Sequence, residues 1–523
     1  MKILSADDSK SIDLRIQNEY GIDEIVLMEN AGNDVYLFIK EKSKNEIYNS
    51  RFLVFCGVGN NGGDGFVVAR KLLSDTDEVY VFVIGDEKKF TSPAKKNFDI
   101  LTKLTDKILF LNPYLEDVRK LYSLLKEFFH GKTVIVDAVI GTGLKSRPNP
   151  NLSNVIDTIN LLKEDGAIVF SVDVPSGFVC SFDRKSVLES KPVVKADYTI
   201  TFFSVKAGMF LPEMKENLGN LVVSTLGFSR NFLDSLVSHN TYYLSDSTLI
   251  DIPKRSHESN KLSNGRVIFI GGSDNYFGAL MMCVRSASKT GVGYIIAFTL
   301  EKFNSALKSF VPDVVSVPVP SRDRGYFSLE DASFILDSRF IKKDDVVVIG
   351  NGLGLNDETK RFFKELVKNL KDNILVIDAD GINILSEDVD FMNSLENKDK
   401  IILTPHIGEF SRLIKENVDT IRDNPFSIGK RFVESFGLNL VLKDNVSYVF
   451  FCDGEIWISD LNTPVLARAG SGDILAGLIG GNISFTKSIK KGVLIGVEML
   501  GLLSKKYNTN DFYPSPIDML DFC

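Results

Sequence analysis

Short apolar runs recur along the chain, and each ends abruptly in glycine or a carboxylate. Phe52–Phe55 leads into Gly57, VYVFVI (79–84) into Gly85-Asp86, and TVIV (133–136) into Asp137 and Gly141-Thr142-Gly143. AIVFSVDVPSG (167–177) breaks at Asp173, and ADYTITFFSVKAG (196–208) carries Lys206 beyond its end. Runs without alternation suit strands buried on both faces of a parallel sheet. Helical spacing fills the intervals. Ile12, Ile16 and Tyr20 form one stripe stopped by Gly21, and Val26, Leu27, Ala31, Val35, Leu37 and Phe38 suit a second helix. A glycine loop at 57–65 precedes a helix expected to begin near Phe66.

Periodicity fails across residues 228–263, which read as a polar boundary, and then restarts. RVIFIGGS (266–273) is a strand and turn followed by a helix from about Gly278. Strands then end at Gly350–Gly354, at Asp378 and Asp380, and at Thr404-Pro405-His406 with Glu409 beyond. LNLVLKDNVSYVF (438–450) reads as two strands around a turn at Lys443–Ser447. In Asn462–Gly477 a glycine pair opens an apolar helix near Gly472. The pattern predicts an α/β chain of two large units.

Composition changes this picture little. The 523 residues are 44% hydrophobic and 25% charged, an ordinary globular mixture. A net charge of −8 gives no basic footprint for nucleic acid, yet glycine loops bind small anions through backbone N–H groups. MKILSADDSK has no apolar leader and no long apolar run follows, so neither export nor a membrane is expected. Cys56, Cys180, Cys283, Cys452 and Cys523 lack metal or disulfide spacing, which fits a reducing cytoplasm.

Candidate chemistry gathers where strands end. In open α/β sheets ligands sit beyond the carboxyl ends of strands. Asp64, Asp137 and Asp173 would each cap a turn if alone; together they point to one site. The GxGxxG match at Gly57, Gly59 and Gly62, with Asp86 after the next strand, suits a dinucleotide dehydrogenase. Asn60, Asn61 and Asp64 add more side-chain oxygen than backbone phosphate binding needs, which favours a weakly hydrated cation or a hydroxylated ligand. Lys206 reads as a solvated end charge. In the second half, Asp473 sits where N–H groups and the positive helix end would meet a phosphate, a place for a general base.

With these motifs the chain resembles the bifunctional NAD(P)H-hydrate repair enzymes over residues 1–225 and 245–515. The epimerase motifs are VLMENAG (26–32), GNNGGDG (59–65), VDAVIGTGL (136–144) and SVDVPSG (171–177). The dehydratase motifs are GGS with GAL (271–273, 278–280), IGNGLG (349–354), DADGINIL (378–385), LTPHIGEF (403–410) and NTPVLARAGSGD (462–473). Two departures stand out. His257 and Lys261 are separated where the family joins His-Lys-Gly, and Asn351 stands where it usually has Pro. Neither is expected to touch the residues assigned to chemistry.

The resemblance implies two three-layer αβα domains, a Rossmann-like epimerase at 1–229 and a ribokinase-like dehydratase at 244–523. Such enzymes interconvert the R and S hydrates of NADH and NADPH and dehydrate the S form, here with ADP rather than ATP, giving AMP and phosphate. The implied catalytic residues are Asp473 and Asp173, the latter with Lys206 assisting. Hydrate contacts fall on Asn60, Asn61, Gly62, Gly63, Asp64, Gly141, Thr142, Gly143, Leu144, Lys145, Ser146, Arg147 and Asp173. In the second domain they fall on Ala279, Gly352, Gly354, His406 and Asp473. The nucleotide falls on Lys443, Asp444, Asn445, Val446, Ser447, Gly470, Ser471 and Gly472. K+ falls on Asn61, Asp137 and Ser176, and Mg2+ accompanies ADP. Because a helix N-terminus favours an anion, Asp473 is expected to have a lowered pKa and to be a weak base. A homo-oligomer with no nucleic-acid or membrane partner is expected. The rivals are a vitamin or sugar kinase with an accessory domain, for which GNNGGDG has no purpose, and a non-catalytic scaffold, for which four retained aspartates have none.

Overall fold

A computed structural model describes residues 1–245, 252–507 and 515–522; Cys523 and residues 246–251 of the polar boundary lie outside them. The chain forms two compact units, Met1–Asn240 and Thr241–Cys523.

The first unit is built on seven strands: β1 (Ser50–Gly57), β2 (Val79–Ile84), β3 (Ile108–Phe110), β4 (Lys132–Ala138), β5 (Ile168–Val172), β6 (Tyr198–Phe202) and β7 (Asn220–Ser224). Their order is β3-β2-β1-β4-β5-β6-β7, parallel throughout. Alternate residues of β1 feed two cores. Phe52, Val54 and Cys56 join Ile12, Ile16, Leu27, Val35 and Phe66 on one face. Leu53 and Phe55 join Leu121, Leu125, Val155 and Ile159 on the other. Helices therefore cover both faces, which explains the unbroken apolar runs. Strand order reverses between β1 and β4, so their carboxyl ends flank the crevice in which such sheets bind ligands.

Three expectations need correction here. Tyr20, Val26 and Leu37 are 52%, 46% and 51% exposed, so each stripe is narrower than its spacing suggests. The 57–65 segment is not a loop up to Phe66, because helix Asn60–Leu72 already begins at Asn60. Its glycines serve close packing: a methyl built on Gly62 would lie 1.8 Å from the Gly57 carbonyl oxygen, and one on Gly65 2.6 Å from Cys56 Sγ. The polar boundary also contains regular structure, namely helix Arg230–Ser235 and the strand Thr241–Leu244.

That strand, β8, opens the second unit. Nine more follow: β9 (Arg266–Ile270), β10 (Tyr294–Leu300), β11 (Val315–Val319), β12 (Val346–Ile349), β13 (Ile374–Ile377), β14 (Ile401–Leu403), β15 (Asn439–Leu442), β16 (Ser447–Phe450) and β17 (Ile456–Ser459). The order is β11-β10-β9-β12-β13-β14-β15-β16-β17-β8. Strands β11 to β15 run parallel, β15-β16-β17 form an antiparallel meander, and β8 pairs parallel to β17. Helices Phe277–Ala287, Ser471–Thr486 and Ile489–Lys506 share one core with Val267, Phe269, Val346 and Val348. The intervening Ile268, Ile270, Val347 and Ile349 are buried on the opposite face. Order reverses here between β9 and β12. Among the described residues no helix is long and apolar enough to cross a membrane.

Candidate active sites

In the first unit the carboxyl ends of β4, β5 and β6 meet. Asp137 ends β4 fully buried, and Oδ2 accepts from Ser171 Oγ and the Ser176 N–H, each at 2.8 Å. Ser176 Oγ donates to Asp137 Oδ1 and accepts from the Ile140 N–H at 3.1 Å. Burial raises the Asp137 pKa, and these hydrogen bonds work against it. Among the described residues no cation pairs with Asp137, and the buried ammonium of Lys206 pairs with Asp173 instead.

Asp173 follows β5 with φ 62°, a left-handed conformation that strains a residue bearing a Cβ. That bend turns the carboxylate toward the end of β6, where Oδ1 accepts from Thr201 Oγ1 and the Phe202 N–H, both at 3.2 Å, and from Lys206 Nζ at 3.0 Å. Lys206 is not solvated: its side chain is 1% exposed, and Nζ also donates to Thr201 Oγ1, the Phe202 carbonyl and the Ser204 carbonyl. The N-terminal residues hold it there, since Leu4 N–H donates to Val205 O and Ala207 N–H to Leu4 O. A buried ammonium requires such saturation.

Asp64 lies in the first turns of helix Asn60–Leu72, and burial together with Asp173, Asp13 and Glu24 pushes its pKa well up. Asp13, from helix Ala6–Tyr20, is raised to about 7 by burial and by Asp173, with Lys206 opposing. The structure thus gathers Asp13, Glu24, Asp64, Asp173 and Lys206. Asp13 was not singled out in the sequence; its only signal is a carboxylate beside the buried Ile12 stripe. Asn60 is occupied otherwise, donating to Glu24 and accepting from Thr91. Gly62 and Gly63 press against Gly57 and Met28. Among the described residues Asn61 Nδ2 is buried without a partner, and its Oδ1 lies against Gly141. Beyond Gly141, Thr142 and Leu144 are partly buried, and Gly143, Lys145, Ser146 and Arg147 are exposed. Asp86 is exposed and caps a short turn, its side chain accepting from the Lys88 N–H.

In the second unit a cleft of about 510 Å³ is lined by His406, Glu409, Lys443, Asp444, Asn445, Ser447 and Gly470–Asp473. Val446 is buried beneath it. The Lys443–Ser447 turn is held from the side by Asn462 Nδ2, which donates to Asp444 O and Ser447 Oγ at 2.9 Å. Gly470 has φ 101°, a conformation that favours glycine, and a methyl on Gly472 would lie 3.1 Å from Lys443 Nζ, so the helix start and the ammonium approach closely. Lys443 Nζ pairs with Asp378 Oδ1 at 2.9 Å. Burial works against its charge, but Asp378 and Glu409 more than offset this and raise its pKa.

Asp473, in the first turn of helix Ser471–Thr486, is raised to about 6 by burial and by Asp378, with Asn351 and Lys443 opposing. The expected lowering is overturned: burial and the neighbouring Asp378 outweigh the groups that favour the anion. Asn351 also contradicts its expected indifference, because its Nδ2 donates to Asp473 Oδ1 at 2.7 Å. His406 caps helix Ile407–Ile414, Nδ1 accepting from the N–H groups of Gly408 and Glu409. Its pKa is lowered, chiefly by burial. Gly352 and Gly354 sit across the β9/β12 crevice from the turn preceding Ala279: Ser273 N–H donates to Gly352 O at 2.7 Å, and Gly354 N–H to Asp380 at 2.8 Å.

Each unit thus carries a polar site at the carboxyl ends of its parallel strands, one of carboxylates around a lysine and one of a turn and a helix end beside Asp473, and each unit matches a known family. Residues 24–208 match the family described as YjeF-related protein N-terminus, and residues 267–520 the family described as NAD(P)H-hydrate dehydratase. The bifunctional NAD(P)H-hydrate repair enzyme Nnr of Dictyoglomus turgidum is 31% identical over 97% of this chain and 95% of its own. That of Methanocaldococcus jannaschii is 32% identical over 96% and 89%. A ribokinase-like superfamily protein of Enterococcus faecalis is similar in structure to 55% of this chain and 94% of its own, at 26% identity and a TM-score of 0.47. With both halves matched in one order and a relative of the same name across nearly the full length, the chain belongs to the bifunctional NAD(P)H-hydrate repair enzymes, which epimerise hydrated nicotinamide cofactors and dehydrate them.

Proposed function

We propose that dehydration runs on ADP in the half spanning residues 244–523 and that Asp473 is its general base. The observation that carries this reading is the pairing, in one cleft, of a carboxylate of pKa about 6 with the Gly470–Gly472 helix end and the Lys443–Ser447 turn. The N–H groups and Lys443 would hold the phosphates. Asp473 takes the proton from the hydrate hydroxyl as that oxygen bonds to the terminal phosphorus of ADP, and the P–O bond to AMP breaks. Phosphate then leaves with the C–O electron pair as the neighbouring carbon loses its proton, restoring the double bond. Ala279, Gly352, Gly354 and His406 are assigned to the hydrate. Asp378 is already engaged by Lys443, Thr404 and Asn351, so Mg2+ fits as an ion carried on the phosphates and water rather than one caged by carboxylates.

In the half spanning residues 1–229 we assign Asp173 as the acid/base for loss and return of the C6 hydroxyl, with Lys206 holding it. Asn60–Asp64 and Gly141–Arg147 would contact the hydrate. K+ fits Asn61, Asp137 and Ser176, because a fully buried carboxylate gains from a cation and those donors are oxygens. A cytoplasmic homo-oligomer completes the reading, with light scattering as its check. The deciding experiment follows the return of NADH absorbance from separated R and S hydrates with ADP and with ATP, in K+ and in Na+ buffers. A tenfold higher kcat/KM with ATP, or equal epimerisation in both salts, overturns the corresponding assignment.

A further inference from the structure

Asn351 lies in the crevice where the order of the second sheet reverses, just beyond β12, and is 2% exposed. Its backbone is fixed: the carbonyl accepts from the Gly272 N–H at 3.3 Å and lies so near Gly271 that a methyl there would come within 2.4 Å. Its side chain has one nitrogen with two hydrogens. One points to Asp378 Oδ2 at 2.9 Å, the other to Asp473 Oδ1 at 2.7 Å. The amide cannot be turned around, since its oxygen would then face two carboxylates. As placed, that oxygen instead lies 3.7 Å from Cys283 Sγ, whose S–H it accepts.

The two carboxylates are unequal. Asp378 is anchored by Lys443 at 2.9 Å and Thr404 at 2.8 Å, whereas the one side-chain hydrogen bond described for Asp473 comes from Asn351. Asn351 therefore ties the freer carboxylate to the fixed one and screens their repulsion. We propose that Asn351 is a positioning residue for dehydration, holding the Asp473 carboxylate against Asp378 in the orientation that receives the hydroxyl proton. The proposal rests on the reading of Asp473 as the base. The other groups facing Asp473 are Lys443 from the β15–β16 turn, Glu409 from helix Ile407–Ile414 and the Cys283 thiol from helix Phe277–Ala287, while His406, Asp444, Arg422 and Arg468 line the same cleft.

The test measures kcat/KM for the S hydrate against pH, at saturating ADP, in the full chain and in Asn351→Leu and Asn351→Ser. Leucine removes both hydrogens at similar volume; serine is small and unable to reach both carboxylates, and it serves if the leucine variant does not fold. Losing a hydrogen bond to a charged group should move the acid limb up by about one pH unit, so that activity on that limb falls roughly tenfold, and the lost orientation should lower the alkaline plateau as well. A role confined to packing would lower the whole profile without moving it. An unmoved limb in a folded variant, with Asp473→Asn inactive, overturns the role of Asn351. Full dehydration by Asp473→Asn overturns the base assignment itself, and this inference with it.

Discussion

As the proposed base, Asp473 would couple activity to stability with opposite signs. Its folded pKa of about 6 lies above the unfolded carboxylate value, so its contribution to stability is present in acid and is lost as pH rises through about 6. The charged form that the proposed catalysis needs is the form the fold resists. Asp473→Asn should therefore abolish dehydration, by about 10²–10⁴-fold, while stabilising the second unit near neutral pH by about 1–3 kcal/mol. Thermal melts near pH 4 and near pH 7.5 check the sign: the gain appears only at the higher pH. In the first unit, Lys206→Met strips Asp173 of its ammonium inside a buried site, and epimerisation should fall by at least about 10²-fold with a loss of roughly 3–5 kcal/mol. Rates on the separated R hydrate and urea melts measure both. Asp173 and Asp137 stand out in the sequence because they lie where apolar runs break, and Asp473 because it follows a glycine pair at the start of an apolar helix; their roles are the reading proposed above. Lys206 by itself reads as a solvated end charge, its tie to Asp173 coming only through the resemblance, and the contacts of Asn351 and Asp13 were not legible, because each takes its meaning from residues far away in the chain: Asn351 from Asp378 and Asp473, Lys206 from Asp173 and the N-terminal residues.

The helix Asn60–Leu72 shows where glycine misleads. Four glycines within 57–63 read as a flexible turn, since glycine is the strongest local punctuator. Here it is the residue small enough to let a helix begin directly on a strand end, with Gly62 against the Gly57 carbonyl. Gly62→Ala, despite the better helix propensity of alanine, should destabilise the first unit by on the order of 3 kcal/mol, because backbone has to move. Gly131→Ala makes a useful contrast, since its added methyl meets nothing within 4 Å but its φ of 57° strains any Cβ; a cost of about 1 kcal/mol is expected. Denaturant midpoints of the two variants rank packing against backbone strain. Strands were the most legible elements, because burial on both faces leaves an unbroken apolar run. The short helix Arg230–Ser235 and strand β8 were missed, as six and four residues carry too little periodicity to register.

As assigned above, the two chemistries draw their residues from different units, so they should be separable. Asp173→Asn should leave the S hydrate repaired at near-normal rate while the R hydrate is recovered only as fast as it epimerises spontaneously; a matched loss of both activities in a folded protein argues for one composite site. Where the units divide has a further consequence, set by β8. Thr241 pairs with Ile456, so the first strand of the second sheet is made long before its partner. A ribosome emitting this chain finishes the first unit, whose strands are all in hand by Ser224, and then releases an edge that stays unpaired until β17 has been synthesised. During that interval Thr241–Leu244 is exposed backbone seeking a neighbour, and the nascent chain is most open to mispairing or chaperone capture between the completion of its first activity and the closure of its second.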